Sequence, residues 1–249
     1  MEDRVSVEID EGVAHVRLVR GDKMNALDTA MFEALAMAGK ELMQSSAVRA
    51  VVLSGEGRAF CAGLDMSNFA NMASADGSVE VAGARKLAVR THGIANAVQA
   101  AAWVWREVPV PVIAAVHGVA FGGGFQLCLG ADMRYATPET RFSVMEIKWG
   151  LVPDLAGTQL MKTLARDDVV RELTYTGRIF SAEEAQAYGF VTRVMEDPLA
   201  QALETAAEIA SRNPDAQRAN KRLLNAAHQL TPVSYTHLRA HETERTISY

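Results

Sequence analysis

The stretch HGVAFGGGFQLCLGAD, residues 117–132, decides how the chain folds and where its chemistry lies. It connects an apolar run at residues 112–116 to a second apolar run that begins at Phe125. The first run predicts a buried strand and the second predicts a helix, so the glycines at 122–124 lie between a strand and a helix. Because glycine has no Cβ, this turn leaves the first N–H groups of the helix open to a ligand.

The glycines alone leave several interpretations open. One is a turn needed only for tight packing, with no ligand. Another is a phosphate site, although the segment lacks the Lys-Ser/Thr of a P-loop and the G-x-G-x-x-G spacing of a dinucleotide-binding fold. A third is an oxyanion hole, which needs a second N–H group from a neighbouring turn.

A second small-residue turn, AFCAGLD at residues 59–65, follows a strand predicted over residues 49–53. Two N–H groups at two strand ends can together stabilise a negatively charged oxygen. The sequence contains no G-x-S-x-G elbow, and a Cys61 nucleophile would need a base for which His117 is the only plausible candidate. We therefore predict an oxyanion hole that stabilises an enolate rather than a tetrahedral intermediate.

Composition narrows the class of protein. The chain has 249 residues, of which 49% are hydrophobic and 22% charged, as is typical of a soluble globular protein with a large core. The net charge of −5 argues against nucleic acid or an anionic membrane as the main partner. The charged start lacks the apolar core of a signal peptide, and no run reaches the roughly 18 apolar residues of a spanning helix, so we expect a cytoplasmic protein. Cys61 and Cys128 lack metal-ligand spacing and are expected to be buried free thiols.

The order of elements predicts an α/β fold in which strands and helices alternate. Residues 4–9 and 13–19 flank a turn and predict a hairpin. Capping signals and apolar periodicity predict the further elements, which are a helix from Asp28 to about Gln44, a mobile loop over residues 66–83, a helix over residues 84–106, a capping box at Ser181 to Glu184, and helices beginning near Pro198 and Pro214.

Residues 232–249 differ in composition from the rest of the chain. They are polar and have no apolar period, and they resemble translated adaptor or vector sequence, so we interpret them as a non-native tail. His237 and His241 have a metal-ligand spacing, but in this context we predict no metal site. We expect residues 1–195 to form the catalytic core and residues 196–231 to form a truncated C-terminal helical region.

Four segments, taken together and in order, resemble the enoyl-CoA hydratase/isomerase (crotonase) family. They are FCAGLD at 60–65, PVIAAVHGVAFGGGF at 111–125, EIKWGLVPDLAGTQ at 146–159 and TGRIFSAEEAQAYGFVTRV at 176–194. The resemblance implies a crotonase-type spiral of repeated ββα units with a C-terminal helical region used in trimerisation. It also implies an acyl-CoA thioester substrate, no cofactor beyond the coenzyme A of that substrate, and a homotrimer or dimer of trimers if the C-terminal region is complete.

The resemblance also implies roles for individual residues. The N–H groups of Leu64 and Gly123 would hold the thioester oxygen, and the backbone from Leu64 to Ser67 would lie along coenzyme A. The substrate-binding residues that it implies are Ala62, Leu64, Asp65, Met66, Ser67, Gly122, Gly123 and Gln126. Glu146 would be catalytic, with a solvated charge beside Lys148 as the alternative.

The acids of the site depart from the hydratase pattern. Hydratases of this family use two glutamates, and here Gln126 occupies the first position and Glu146 the second. Glutamine cannot exchange a proton at neutral pH, which disfavours hydration. Asp154 is a further carboxylate, and the residues alone leave a helix N-cap and a catalytic role equally open. Dienoyl-CoA isomerases of the family carry an aspartate at this offset, which favours catalysis.

Three functions therefore compete. The favoured one is an enoyl- or dienoyl-CoA isomerase, in which one carboxylate removes a proton and a carboxyl group returns it at another carbon. The second is a hydratase with a displaced water-activating group. The third is a CoA-ester-binding protein with little catalysis.

Overall fold

The computed structural model describes residues 3–65 and 90–227. Its strands are β1 (Val5–Asp10), β2 (Val13–Leu18), β3 (Ala50–Gly55), β4 (Val112–Val116), β5 (Val119–Phe121), β6 (Met133–Ala136), β7 (Arg141–Ser143), β8 (Phe180–Ser181) and β9 (Arg193–Val194). Its α-helices are α1 (Thr29–Gln44), α2 (Ala97–Glu107), α3 (Gly123–Leu129), α4 (Gly157–Lys162), α5 (Asp167–Thr176), α6 (Ala182–Tyr188), α7 (Pro198–Ala210) and α8 (Pro214–Ala226). Short 3₁₀ helices span Gly21–Lys23 and Glu146–Trp149.

The strands form two sheets. In the described residues the larger sheet has the order β1-β2-β3-β4-β6-β9, and the smaller has the order β5-β7-β8. The hairpin β1-β2 is antiparallel, whereas β2, β3, β4, β6 and β9 pair in parallel. From β4 to β7 the chain twice enters the larger sheet and then the smaller one before a helix follows, which confirms the predicted spiral of ββα units.

The centre of the larger sheet, formed by β3 and β4, is buried on both faces. Val51 and Leu53 of β3 lie in the main core, while Val52 on the opposite face packs in a second cluster with Ala202 and Ala206 of α7. Strands covered on both faces need apolar side chains at every position, which explains the unbroken apolar run of β3 and β4.

A cluster of phenylalanines fixes the position of α3. Phe125 makes edge-to-face contacts with Phe142 at 5.9 Å and Phe190 at 5.3 Å between ring centroids. Each such ring pair stabilises the fold by roughly 1 kcal/mol beyond the apolar area that it buries. The cluster therefore anchors α3 just after the glycine turn from which the helix begins.

Several local predictions are confirmed. The Asp28 side chain accepts a hydrogen bond from the Met31 N–H at 2.8 Å and caps α1. Ser181 and Glu184 form the expected capping box at the start of α6. Helices α7 and α8 begin at the expected prolines. Among the described helices, none combines the length and the apolar character needed to cross a bilayer.

The predicted helix over residues 84–106 is wrong at its start. Residues 90–96 are not helical, and α2 begins only at Ala97. The physical reason is local, because Gly93 has φ +61° and Asn96 forms a capping box with Gln99. Residues 84–89, the loop predicted at 66–83 and the suspected tail with His237 and His241 lie outside the described residues.

Candidate active site

A cavity of about 590 Å³ opens between the two small-residue turns. The residues around it include Ala62 to Asp65 of the first turn, Phe121 to Gly123 of the second, and Glu146. The structure thus brings together most of the residues that the sequence predicts for the site. Met66 and Ser67, also predicted to bind substrate, lie outside the described residues.

The N–H group of Leu64 points away from Leu27, the residue with which Leu64 forms a parallel β-bridge. Leu27 donates its N–H to Gly63 O at 2.8 Å and accepts from the Asp65 N–H at 3.0 Å. These two bonds flank Leu64 in a parallel bridge, and backbone groups of successive extended residues point to opposite edges. The Leu64 N–H is therefore directed to the edge that does not face Leu27, as an oxyanion donor requires.

The second N–H group is that of Gly123, the first residue of α3. A first-turn residue has no intrahelical acceptor for its N–H. The preceding residue Gly122 has φ +49°, and its own N–H donates to Ser143 O at 2.9 Å. Within the described residues, neither the Gly123 nor the Leu64 N–H donates to a backbone carbonyl.

The two turns pack directly against each other. Gly63 has φ +92°, and a Cβ atom there would lie 2.6 Å from Phe121 O and 3.6 Å from the Gly123 nitrogen. This approach is possible only for glycine. The predicted pairing of two backbone donors from two strand ends therefore agrees with the geometry.

Glu146 lies at the start of a 3₁₀ helix and is only 8% exposed. Its Oε1 accepts a hydrogen bond from Gln126 Nε2 at 2.5 Å. Its Oε2 is buried and has no partner among the described residues. The alternative of a solvated charge beside Lys148 is wrong, because Glu146 is buried in the wall of the cavity.

Burial is the main reason why the pKa of Glu146 is raised above that of an ordinary glutamate. Hydrogen bonds from its own backbone N–H and from Gln126 lower this pKa, and the charge of Asp154 raises it. A carboxyl group in this setting can take up a proton near neutral pH more readily than a solvated one.

Gln126 is fully buried on α3. Its Oε1 accepts the N–H of Gly157 at 2.8 Å, so its amide connects Gly157 to Glu146. Gln126 is not among the described residues that line the cavity. Its predicted contact with substrate stays a prediction, and the structure instead shows a contact with the carboxylate.

The helix-cap interpretation of Asp154 is wrong. The helix that follows, α4, begins only at Gly157, and Ala156, with φ +74°, precedes it without any side-chain cap. Asp154 is exposed and is not among the described residues that line the cavity, yet nearby protein atoms remove enough hydration to raise its pKa. The next residue, Leu155, comes within 3.8 Å of the Cβ position of Gly123, which brings this turn to the oxyanion hole.

Three other candidate side chains have contacts of their own. The Asp65 carboxylate accepts from Arg20 at 2.5 Å, so its predicted part in substrate binding rests on its backbone. Cys61 and Cys128 are buried free thiols, as expected, and burial raises the pKa of each to about 12. His117 contacts the Gly57 carbonyl at 2.9 Å. This geometry excludes a Cys61–His117 nucleophile.

Sequence reasoning missed part of the cavity wall. Lys23 and Met24, which follow the first hairpin, and Trp149 and Leu151, which follow Glu146, also line the cavity. Their signal was weak, because none of them belongs to a glycine turn. The charged stretch RGDK at residues 20–23, between a strand and the capped helix α1, could have indicated a loop beside the site.

The sequence model described as enoyl-CoA hydratase/isomerase matches residues 8–249. The chain belongs to the enoyl-CoA hydratase/isomerase family. The match includes residues 232–249, which lie outside the described structure, so their interpretation as a non-native tail stays a prediction. As a member of this family, the chain is an enoyl-CoA isomerase or hydratase with the crotonase fold.

Two relatives named as dienoyl-CoA isomerases resemble this family member. It is 33% identical over 241 residues to the mitochondrial Delta(3,5)-Delta(2,4)-dienoyl-CoA isomerase of Homo sapiens, covering 95% of the chain and 69% of the relative. The peroxisomal isomerase of that name from Arabidopsis thaliana is 31% identical over 218 residues, covering 86% of the chain and 78% of the relative.

Solved structures share the fold over nearly the whole chain. The enoyl-CoA hydratase of Bacillus anthracis has a TM-score of 0.85 at 29% identity, covering 98% of this chain and 90% of that one. A provisionally assigned enoyl-CoA hydratase of Thermobifida fusca, solved with CoA, has a TM-score of 0.86 at 29% identity, covering 99% and 93%. These likenesses agree with an acyl-CoA enzyme of this family.

Proposed function

We propose that this enzyme moves a double bond within an enoyl- or dienoyl-CoA thioester. The observation that carries the proposal is the 2.5 Å hydrogen bond from the Gln126 amide to Glu146. An amide occupies the position beside Glu146 where the family resemblance predicts a second glutamate in a hydratase. The amide cannot exchange a proton, so water activation by a pair of glutamates is not available here.

The reaction begins when one carboxylate removes a proton from a carbon adjacent to, or conjugated with, the thioester carbonyl. The electron pair left behind moves to the carbonyl oxygen and forms an enolate. The N–H groups of Leu64 and Gly123 stabilise that negative oxygen, and each such donor contributes roughly 3 kcal/mol to catalysis. A carboxyl group then returns a proton at another carbon, and the double bond has moved.

Glu146 and Asp154 are the two groups that we assign to proton transfer. Burial raises the pKa of Glu146, partial loss of hydration raises the pKa of Asp154, and the charge of Asp154 also raises the pKa of Glu146. Mutual repulsion disfavours ionisation of both, so one can hold a proton while the other accepts one. Leu155, the residue after Asp154, lies close to the Gly123 turn. This proximity supports a position of Asp154 near the reacting thioester.

Two substrates measured side by side test the proposal. Ultraviolet absorbance follows the formation of a conjugated 2,4-dienoyl-CoA from a 3,5-dienoyl-CoA, and the loss of conjugation when crotonyl-CoA is hydrated. We expect the first reaction and little of the second. Rapid hydration without dienoyl isomerisation would support a hydratase, and CoA-ester binding without either reaction would support a binding protein.

Assembly and location belong to the same proposal. We propose that the enzyme acts in the cytoplasm on an acyl-CoA thioester, with coenzyme A entering only as part of the substrate. It would assemble as a homotrimer or dimer of trimers if its C-terminal region is complete. Fatty-acid β-oxidation is the pathway class that consumes such substrates.

A further inference from the structure

Gln126 has a fixed orientation in the site, which has a consequence for the proton on Glu146. The Gly157 N–H can only donate, so the oxygen of the Gln126 amide must face it at 2.8 Å. The amide nitrogen must then face Glu146 Oε1 at 2.5 Å, and this nitrogen can only donate. Glu146 Oε1 is consequently held as an acceptor in both protonation states of the carboxyl group.

We infer that Gln126 is a positioning residue that assigns the transferable proton of Glu146 to Oε2. Oε2 is the buried oxygen that has no partner among the described residues, and Glu146 lines the cavity. The inference rests on the proposed function, in which Glu146 exchanges a proton with substrate. Gln126 leaves one oxygen of Glu146 for chemistry and occupies the other.

The same amide couples Glu146 to the turn that carries Asp154. Gly157 stands at the first turn of α4, three residues after Asp154, and its N–H is the anchor of the Gln126 oxygen. A Cβ atom at Gly157 would lie 2.4 Å from Gln126 Oε1, so no larger residue fits unless the amide moves. The Gly157–Gln126–Glu146 chain therefore sets the position of one proposed proton-transfer group relative to the segment of the other.

Other charged groups near Glu146 can also affect its pKa. Asp154 raises the pKa of Glu146 through its charge. Lys23 and Asp65 line the same cavity, and the Asp65 carboxylate is paired with Arg20. Helix α5 packs on the 3₁₀ helix of Glu146 and carries Glu172, which pairs with Arg178 at 2.8 Å. Substitutions at Gln126 and Gly157 leave all of these charged groups unchanged.

Two substitutions remove the Gln126 contact by different routes. Gln126→Met keeps the approximate size and removes both hydrogen bonds, whereas Gly157→Ala displaces the amide without altering Gln126. Gln186→Met, at an exposed position on α6, is the matched control. The direct readout is the titration of the Glu146 carboxyl carbon in protein labelled with carbon-13 glutamate, with Glu146→Gln assigning its signal.

We expect both variants to raise the pKa of Glu146 by about one unit or more, because a hydrogen bond to the charged form is lost. We also expect kcat for isomerisation to fall about tenfold or more with KM nearly unchanged, and the double variant to be no worse than either single variant. A Glu146 pKa that stays at the parent value in both variants would overturn the inference. An active Glu146→Gln enzyme would instead overturn the proposed function, and the carboxyl titration would still decide the inference.

Discussion

Gln126 and Glu146 lie 2.5 Å apart, joined by a hydrogen bond in which the amide donates to the carboxylate. Both side chains are buried, and the second carboxylate oxygen has no partner among the described residues. This arrangement distinguishes the site from one with two glutamates, because only Glu146 of this pair can exchange a proton.

Replacing the amide by an acid should restore a feature of hydratases. Gln126→Glu places a second carboxyl group beside Glu146, so we expect faster hydration of crotonyl-CoA than in the parent enzyme. The measurement is the loss of ultraviolet absorbance by crotonyl-CoA, with Gln126→Met as the control that adds no acid. A parent enzyme that already hydrates crotonyl-CoA at about 100 per second would contradict this account.

The oxyanion hole should depend on backbone rather than side chains. A Cβ atom at Gly123 would lie 2.8 Å from Leu27 Cδ1, so Gly123→Val must displace the Leu27 side chain and places a branched side chain at the cavity wall beside the N–H. We expect a loss of roughly 3 kcal/mol or more in transition-state stabilisation. Leu64→Ala keeps its N–H and should cost less, as measured by kcat/KM. Equal losses would show that the Leu64 side chain shapes the acyl pocket.

The parts of this site that sequence could predict are those set by the backbone. Glycine patterns and apolar runs predicted both turns, because positive φ angles and close approach demand glycine. The helix-cap alternative for Asp154 was wrong because the helix begins only at Gly157, after a turn that ends at Ala156 with φ +74°. The amide of Gln126 could not be oriented from sequence, because its partner Gly157 is 31 residues away along the chain.

Glu146 should reduce stability at neutral pH. Burial raises its pKa above the unfolded value of about 4.3, so its charged form is disfavoured by folding. The resulting loss of stability reaches its full size above the pKa of Glu146 in the folded protein. It disappears at pH values below the pKa of Glu146 in the unfolded chain. We therefore expect Glu146→Gln to raise Tm at pH 7, with a difference that shrinks as the pH falls toward 4.

The control for this stability measurement is Glu33→Gln, at an exposed position on α1. It should change the free energy of unfolding by no more than about 0.5 kcal/mol. Glu146→Gln melting below the parent protein at pH 7 would show that the carboxylate is stabilised by contacts that this account lacks.

The two cysteines should be chemically inert in the folded protein. Each is fully buried, and burial raises the pKa of each to about 12, so the reactive thiolate is scarce at pH 8. We expect thiol reagents to modify neither cysteine in the folded state and both after denaturation. Rapid modification of Cys61 with loss of activity would reopen the nucleophile interpretation.

The central claim is that Glu146 and Asp154 together move the double bond. The most direct test is the rate at which Asp154→Asn converts a 3,5-dienoyl-CoA to the 2,4-dienoyl-CoA, whose double bonds are conjugated with the thioester carbonyl. Asp168→Asn on α5 is the exposed control. We expect a loss of about 10²-fold or more, with Tm nearly unchanged, because Asp154 caps no helix. In deuterated water, Asp154→Asn should still introduce deuterium into the substrate. The substrate positions that take up deuterium should differ from those labelled by Glu146→Gln. Full isomerase activity in Asp154→Asn would contradict the two-carboxylate mechanism and leave Glu146 to act alone.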